Sequence, residues 1–94
     1  MNKAELLAAV TRQTRLRPTY VKRVVDAIFD PSDGVIARQV KNGGKVTIAG
    51  FGTFDRRTHR GREVKSALTG TVVRVKTRRL PGFRAGVSLK NTVR

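Results

Sequence analysis

The chain has 94 residues, no cysteine and a single histidine, which confines it to one small domain without disulfides, thiolate metal sites or a zinc site built on His59 alone. Its charge is lopsided: 21 Lys and Arg stand against 6 Asp and Glu, net +15, with nine basic and four acidic residues over 1–54 but twelve and two over 55–94. Such a balance asks for a polyanion, nucleic acid first, and no apolar run forms a signal peptide or approaches the ~18 residues of a membrane span, so an intracellular, cytoplasmic protein is expected.

A domain of this length buries only about 60–65% of its unfolded surface, so self-association is the expected supplement to its core. Asn2 and Glu5 stand at capping-box spacing with Asn2 as the N-cap. Leu6, Leu7 and Val10 follow as an apolar stripe, predicting a helix over residues 3–14. Arg17-Pro18 opens the next helix, because proline suits the first helical position. Val21, Val24, Val25, Ile28 and Phe29 then recur at i, i+3, i+4, i+7 and i+8, one buried face. Asp26 lies on the polar side as a surface ion-pair partner. Asp30-Pro31-Ser32-Asp33-Gly34 interrupts the pattern, since Pro31 disfavours helical geometry at Asp30. A short helical piece through Val35, Ile36 and Val40 ends at Asn42-Gly43-Gly44.

From Lys45 the period changes to two: Val46 and Ile48 alternate with Thr47 and Ala49 as a strand with one buried face. Gly50-Phe51-Gly52 breaks the phase and predicts a bulge or bend where backbone passes close to backbone. The strand resumes at Thr53. Thr69-Gly70 marks a turn, and Thr71 to Thr77 alternates again, so residues 53–66 and 71–79 form two strands of a long hairpin. Few large apolar side chains line it, and it is expected to project as an arm. Leu80-Pro81-Gly82-Phe83 returns the chain to the body, and Ala85, Leu89 and Val93 point to a last short helix. The expected layout is a single domain with a helical dimerisation part (1–44), a sheet with its arm (45–80) and a C-terminal helix (81–94).

The arm concentrates Arg56, Arg57, Arg60, Arg62, Lys65, Arg74, Lys76, Arg78 and Arg79. Nine like charges repel one another unless an anion screens them. A groove of DNA supplies that anion, and a two-stranded ribbon is narrow enough to follow one. The plainer reading is an exposed hairpin kept soluble by charge. Phe51, Phe54 and Phe83 could serve as stacking platforms for single-stranded bases, but their glycine and Pro-Gly neighbours favour packing at the base of the arm. His59, set among arginines, suits a phosphate contact better than catalysis. No phosphate-cradling loop, zinc-binding helix or tuned carboxylate pair is present, so neither an enzyme nor a cofactor is expected.

The order MNKAEL, GGKVTIAGFGTF, a basic arm and LPGFRAGVSLKNTV resembles the HU/IHF family of bacterial histone-like DNA-binding proteins, nearly end to end and ungapped from Lys45 to Val93. The resemblance implies an α+β fold: an intertwined homodimer, or a heterodimer with a paralogue, with helices below, a saddle of strands above, and two arms wrapping double-stranded DNA through its minor groove at the nucleoid. It implies phosphate contacts from the body by Lys3, Arg84 and Lys90. In that family a proline at the arm tip wedges between base pairs. Here Ala67 takes its place in Lys65-Ser66-Ala67-Leu68-Thr69-Gly70. Alanine is a small wedge without a rigid ring, while Leu68 beside it is of the kind that inserts at base steps. His59 stands where the family usually has an arginine, and Pro31 to Gly34 reads as an insertion in helix two that alters the flank of the body. The implied function is architectural: wrapping, bending or compacting duplex DNA with little sequence preference. An RNA or single-strand binder and a purely structural oligomerisation module are the rival readings.

Overall fold

The computed structural model describes residues 1–94 and divides into two compact units, Met1–Asn42 and Gly43–Arg94. The first holds three helices, α1 (Lys3–Thr14), α2 (Pro18–Phe29) and α3 (Val35–Lys41). Asn2 caps α1 as its spacing requires, its Oδ1 accepting the Glu5 amide at 2.9 Å. The helix ends where Arg15 turns left-handed at φ 58° and donates its amide to the Thr11 carbonyl at 2.8 Å, an arrangement that satisfies one of the orphan carbonyls of the last turn. Pro18 is the first residue of α2.

The link between α2 and α3 is built from its own side chains. Asp30 Oδ1 accepts the amides of Ser32 and Asp33 at 2.9 and 2.8 Å, and these two backbone donors hold its carboxyl below the usual carboxylate range. Gly34 is buried. A Cβ there would lie 2.6 Å from the Asp30 carbonyl oxygen and 2.8 Å from that of Ile28, so only glycine lets α3 start so close to the end of α2.

Within one chain α1, α2 and α3 bury two apolar side chains, Val21 at 2% exposure and Val25 at 8%. The apolar face expected to be buried is therefore only half covered: Val24 is 55% exposed, and Tyr20, Ile28, Phe29 and Val35 are also open. The periodicity is correct, but three short helices are too few to wrap both sides of it.

The second unit contains β1 (Val46–Ile48), β2 (Gly52–His59), β3 (Arg62–Lys65), β4 (Val72–Val75), β5 (Arg78–Ala85) and α4 (Val87–Val93). Strands β1, β2 and β5 form an antiparallel sheet in that order, while β3 and β4 form a separate two-stranded sheet. Three expectations change here. The predicted bend at Gly50-Phe51-Gly52 is a full reversal: the Phe51 amide donates to the Ile48 carbonyl at 2.9 Å, with Gly50 at φ +79° in the third position of the turn, where a type II turn needs glycine. The long hairpin is not two unbroken strands but two successive ladders. The C-terminal helix, expected from residue 81, begins at Val87 because residues 78–85 pair with β2. Pro81 is accommodated because β5 is an edge strand, where no ladder hydrogen bond is demanded on the outer side.

Candidate nucleic-acid interface

The Gly-Phe-Gly-Thr-Phe segment is the base on which the arm is built. Phe83 packs against Phe54 with ring centroids 4.8 Å apart and against Phe51 at 6.0 Å, both tilted, the offset geometry that aromatic pairs prefer. Gly52 makes room for them: a Cβ there would sit 2.5 Å from the Phe83 ring. Helix α4 docks on the same turn, the Leu89 amide donating to the Gly50 carbonyl at 3.0 Å and the Gly86 amide to that of Phe51 at 2.7 Å. The three phenylalanines thus form a packed base, although Phe51 and Phe83 keep nearly half of their surface open.

Register assigns the faces of the sheet, because residues opposite each other across an antiparallel ladder share a face and successive residues alternate. Phe54 faces Phe83, and Gly52 faces Ala85; beyond them Arg56 opposes Pro81 and Thr58 opposes Arg79. The other face carries Thr53 with Arg84, Asp55 with Gly82, Arg57 with Leu80, and His59 with Arg78. Near the base the first face is apolar and the second polar; further out cations occupy both. Arg57 folds back on Asp55, its Nε 3.3 Å from Oδ1, over the bare backbone of Gly82, where a Cβ would come within 3.0 Å of both side chains.

The two ladders meet at a joint that the sequence pattern did not reveal. Arg60 and Gly61 on one side and Lys76 and Thr77 on the other lie outside the strands. The Gly61 amide donates to Thr77 Oγ1 at 2.9 Å, and a Cβ at Gly61 would collide with the Val75 carbonyl. A glycine within a basic run was the available signal. Beyond the joint, Arg62 opposes Val75 and Val64 opposes Val73 on one face, and Glu63 opposes Arg74 and Lys65 opposes Val72 on the other. Arg74 Nε is 3.2 Å from Glu63 Oε1.

At the tip the Ser66 amide donates to the Thr71 carbonyl at 2.8 Å, the Gly70 amide donates to the Ser66 carbonyl at 2.9 Å, and Gly70 adopts φ +68°. Ala67 and Leu68 occupy the turn. Leu68 is 96% exposed, an apolar side chain held at the end of a cationic ribbon.

The candidate residues therefore fall in six places. Arg56, Arg57, His59, Arg78 and Arg79 lie on the inner ladder, Arg60 and Lys76 at the joint, and Arg62, Lys65 and Arg74 on the outer ladder, with Ala67 and Leu68 at its end. Arg84 closes the inner ladder at the base, and Lys90 sits in the last turn of α4. Lys3 belongs to the helical unit, where its Nζ is 2.6 Å from Asp26 Oδ1, while Lys22 Nζ is 2.6 Å from Oδ2. Hydrogen bonds from Lys22 and then Lys3 hold the Asp26 carboxyl below its ordinary range, and the same bond raises Lys22. Asp26 is the ion-pair partner its position suggested.

Residues 1–94 match the family described as bacterial DNA-binding protein. The DNA-binding protein HU 1 of Bacillus subtilis is 33% identical over 93 residues, covering 99% of this chain and 97% of that protein. The DNA-binding protein HU of Synechocystis is 36% identical over 95 residues, covering 99% and 95%. A cocrystal structure of Anabaena HU with DNA is similar with a TM-score of 0.82 at 31% identity, over 99% of this chain and 97% of that one. A Thermotoga maritima HU variant is similar at 0.71 and 26%, each chain fully covered. The similarity to HU proteins thus runs along the whole length, and the chain belongs to the HU family of bacterial DNA-binding proteins.

Proposed function

We propose that the protein is an architectural double-stranded DNA-binding protein that acts as a homodimer, gripping the duplex with its arms to wrap, bend or compact it at the nucleoid, in the cytoplasm. The observation that carries this reading is the ribbon of residues 55–79: nine Lys and Arg with only Asp55 and Glu63 to offset them, displayed on narrow two-stranded ladders. Phosphates are the matching anions, and the minor groove, with its degenerate pattern, yields little sequence preference. Pairing favours a dimer because Val24, Ile28 and Phe29 stay open in a single chain, more apolar surface than a small monomer leaves uncovered.

On this reading Arg56, Arg57, His59, Arg60, Arg62, Lys65, Arg74, Lys76, Arg78 and Arg79 are the arm's DNA contacts, with Lys3, Arg84 and Lys90 as contacts from the body. Leu68, more than Ala67, is the wedge: it is large, apolar and almost fully exposed at the tip. The phenylalanines are engaged with one another, which favours a packing role at the base of the arm over stacking on single-stranded bases.

A ~35 base-pair duplex with a fluorophore pair at its ends tests both grip and bend, since minor-groove wedges kink DNA by roughly 20–90°. Binding should weaken by about 10³–10⁵ between 50 and 200 mM salt for six to ten neutralised phosphates, with energy transfer rising on binding. Leu68→Ser should keep most of the affinity and lose most of the rise. Preference for single strands over duplex would overturn the reading.

A further inference from the structure

At the joint between the two ladders, His59, Arg60, Arg62, Val75, Lys76 and Arg78 line a half-open depression of about 260 Å³. That is room for a phosphodiester group with its water, given that one water occupies about 30 Å³ of liquid. No carboxylate lines it. The two acids of the arm are engaged elsewhere, Asp55 with Arg57 and Glu63 with Arg74. His59 shares the polar face with Arg57 on its own strand and opposes Arg78 across the ladder, while Arg60 and Lys76 approach from the links and Arg62 from β3.

Every charged group around the depression is therefore a permanent cation except His59, the only histidine of the chain and of the one side-chain type that ordinarily changes charge between pH 5 and 8. We propose that this depression is a phosphate site of the arm gated by protonation of His59, so that duplex binding takes up a proton from solvent at each arm. The proposal rests on the DNA-binding reading above and adds its regulation by pH. A phosphate oxygen beside the ring favours the imidazolium, which then donates from both ring nitrogens. The sign follows from linkage: a complex that holds more protons than its separated parts is strengthened as pH falls. Grip should tighten on acidification through the imidazole range and relax as pH rises, with the arginines unaffected.

The test is duplex affinity at fixed salt from pH 5.5 to 8 for the wild type, H59Q and H59R, with the salt slope measured at both ends of the range. The wild type should bind about ten-fold more tightly at pH 5.5 than at pH 8. Its salt slope should steepen by about 1.8 on acidification, about 0.9 for each phosphate newly neutralised by each of two arms. H59R should behave at every pH like the acidic wild type, and H59Q like the alkaline one. If wild type and H59Q share one pH profile while both bind duplex, the gating is wrong and the DNA-binding reading stands. If neither binds at any pH, that reading itself fails, and the gate with it.

Discussion

The helical unit and the arm are incomplete in opposite ways. In Met1–Asn42 two of the carboxylates are met locally: Asp26 sits between Lys3 and Lys22, and Arg38 lies 3.7 Å from Asp33. What is unsettled there is apolar, since only Val21 and Val25 are buried. In the arm the apolar base is settled by the phenylalanines and glycines, whereas the charge is not, with two carboxylates set against nine cations. One region calls for apolar surface and the other for an anion. A second copy of the chain and a nucleic acid meet these different demands, and neither can stand in for the other.

The contrast can be broken most forcefully at the core. Val21→Asp places an unpaired charge where only 2% of the residue is exposed, and a penalty of several kcal/mol should abolish cooperative unfolding by circular dichroism and the dimer by sedimentation. Next comes the arm's base: Gly52→Ala drives a methyl into the Phe83 ring, and overpacking of this kind typically removes about 1–3 kcal/mol, read as a lowered Tm. Retention of the wild-type Tm would show that the aromatic base yields more readily than its geometry suggests.

The arm's charge should separate from stability altogether. Arg78→Gln with Arg79→Gln should leave Tm nearly unchanged and flatten the salt dependence of duplex binding by about 0.9 for each phosphate no longer neutralised. A large fall in Tm would mean that these arginines hold the fold rather than the DNA. The smallest effect belongs to Asp26→Asn. Because the folded carboxyl is held below its unfolded range by Lys22 and Lys3, its contribution is present above that range and lost as pH falls through the folded value. The variant should therefore match the wild type in strong acid and be slightly less stable near neutrality, as pH-dependent urea unfolding would show.

Much of the helical unit was legible because its signals are local. Asn2, Pro18 and the Asp30 to Gly34 stretch act through the backbone groups nearest to them, and the helices begin and end where those residues require. The arm's cations were legible as a set, since a run of like charge needs no partner within the chain to be recognised. The division of those cations between two faces was not, because it depends on which residue of β5 stands opposite which residue of β2. The joint at Gly61 and Thr77 was hidden for the same reason: its defining hydrogen bond joins residues sixteen apart. The role of Pro81 was hidden likewise: it was expected only to return the chain to the body, and its pairing opposite Arg56 makes it part of an edge strand.

By itself, then, the sequence determined the boundaries of the first three helices, the shortage of core and the polyanionic character of the partner, all consequences of local caps, chain length and net charge. The tertiary structure alone decided that Gly52 lies beneath the Phe83 ring, that the arm is two ladders with a cationic notch between them, and that His59 stands across from Arg78. Strand pairing joins residues distant in the chain, and its register is set by the fit of whole faces and turns rather than by any one stretch of sequence.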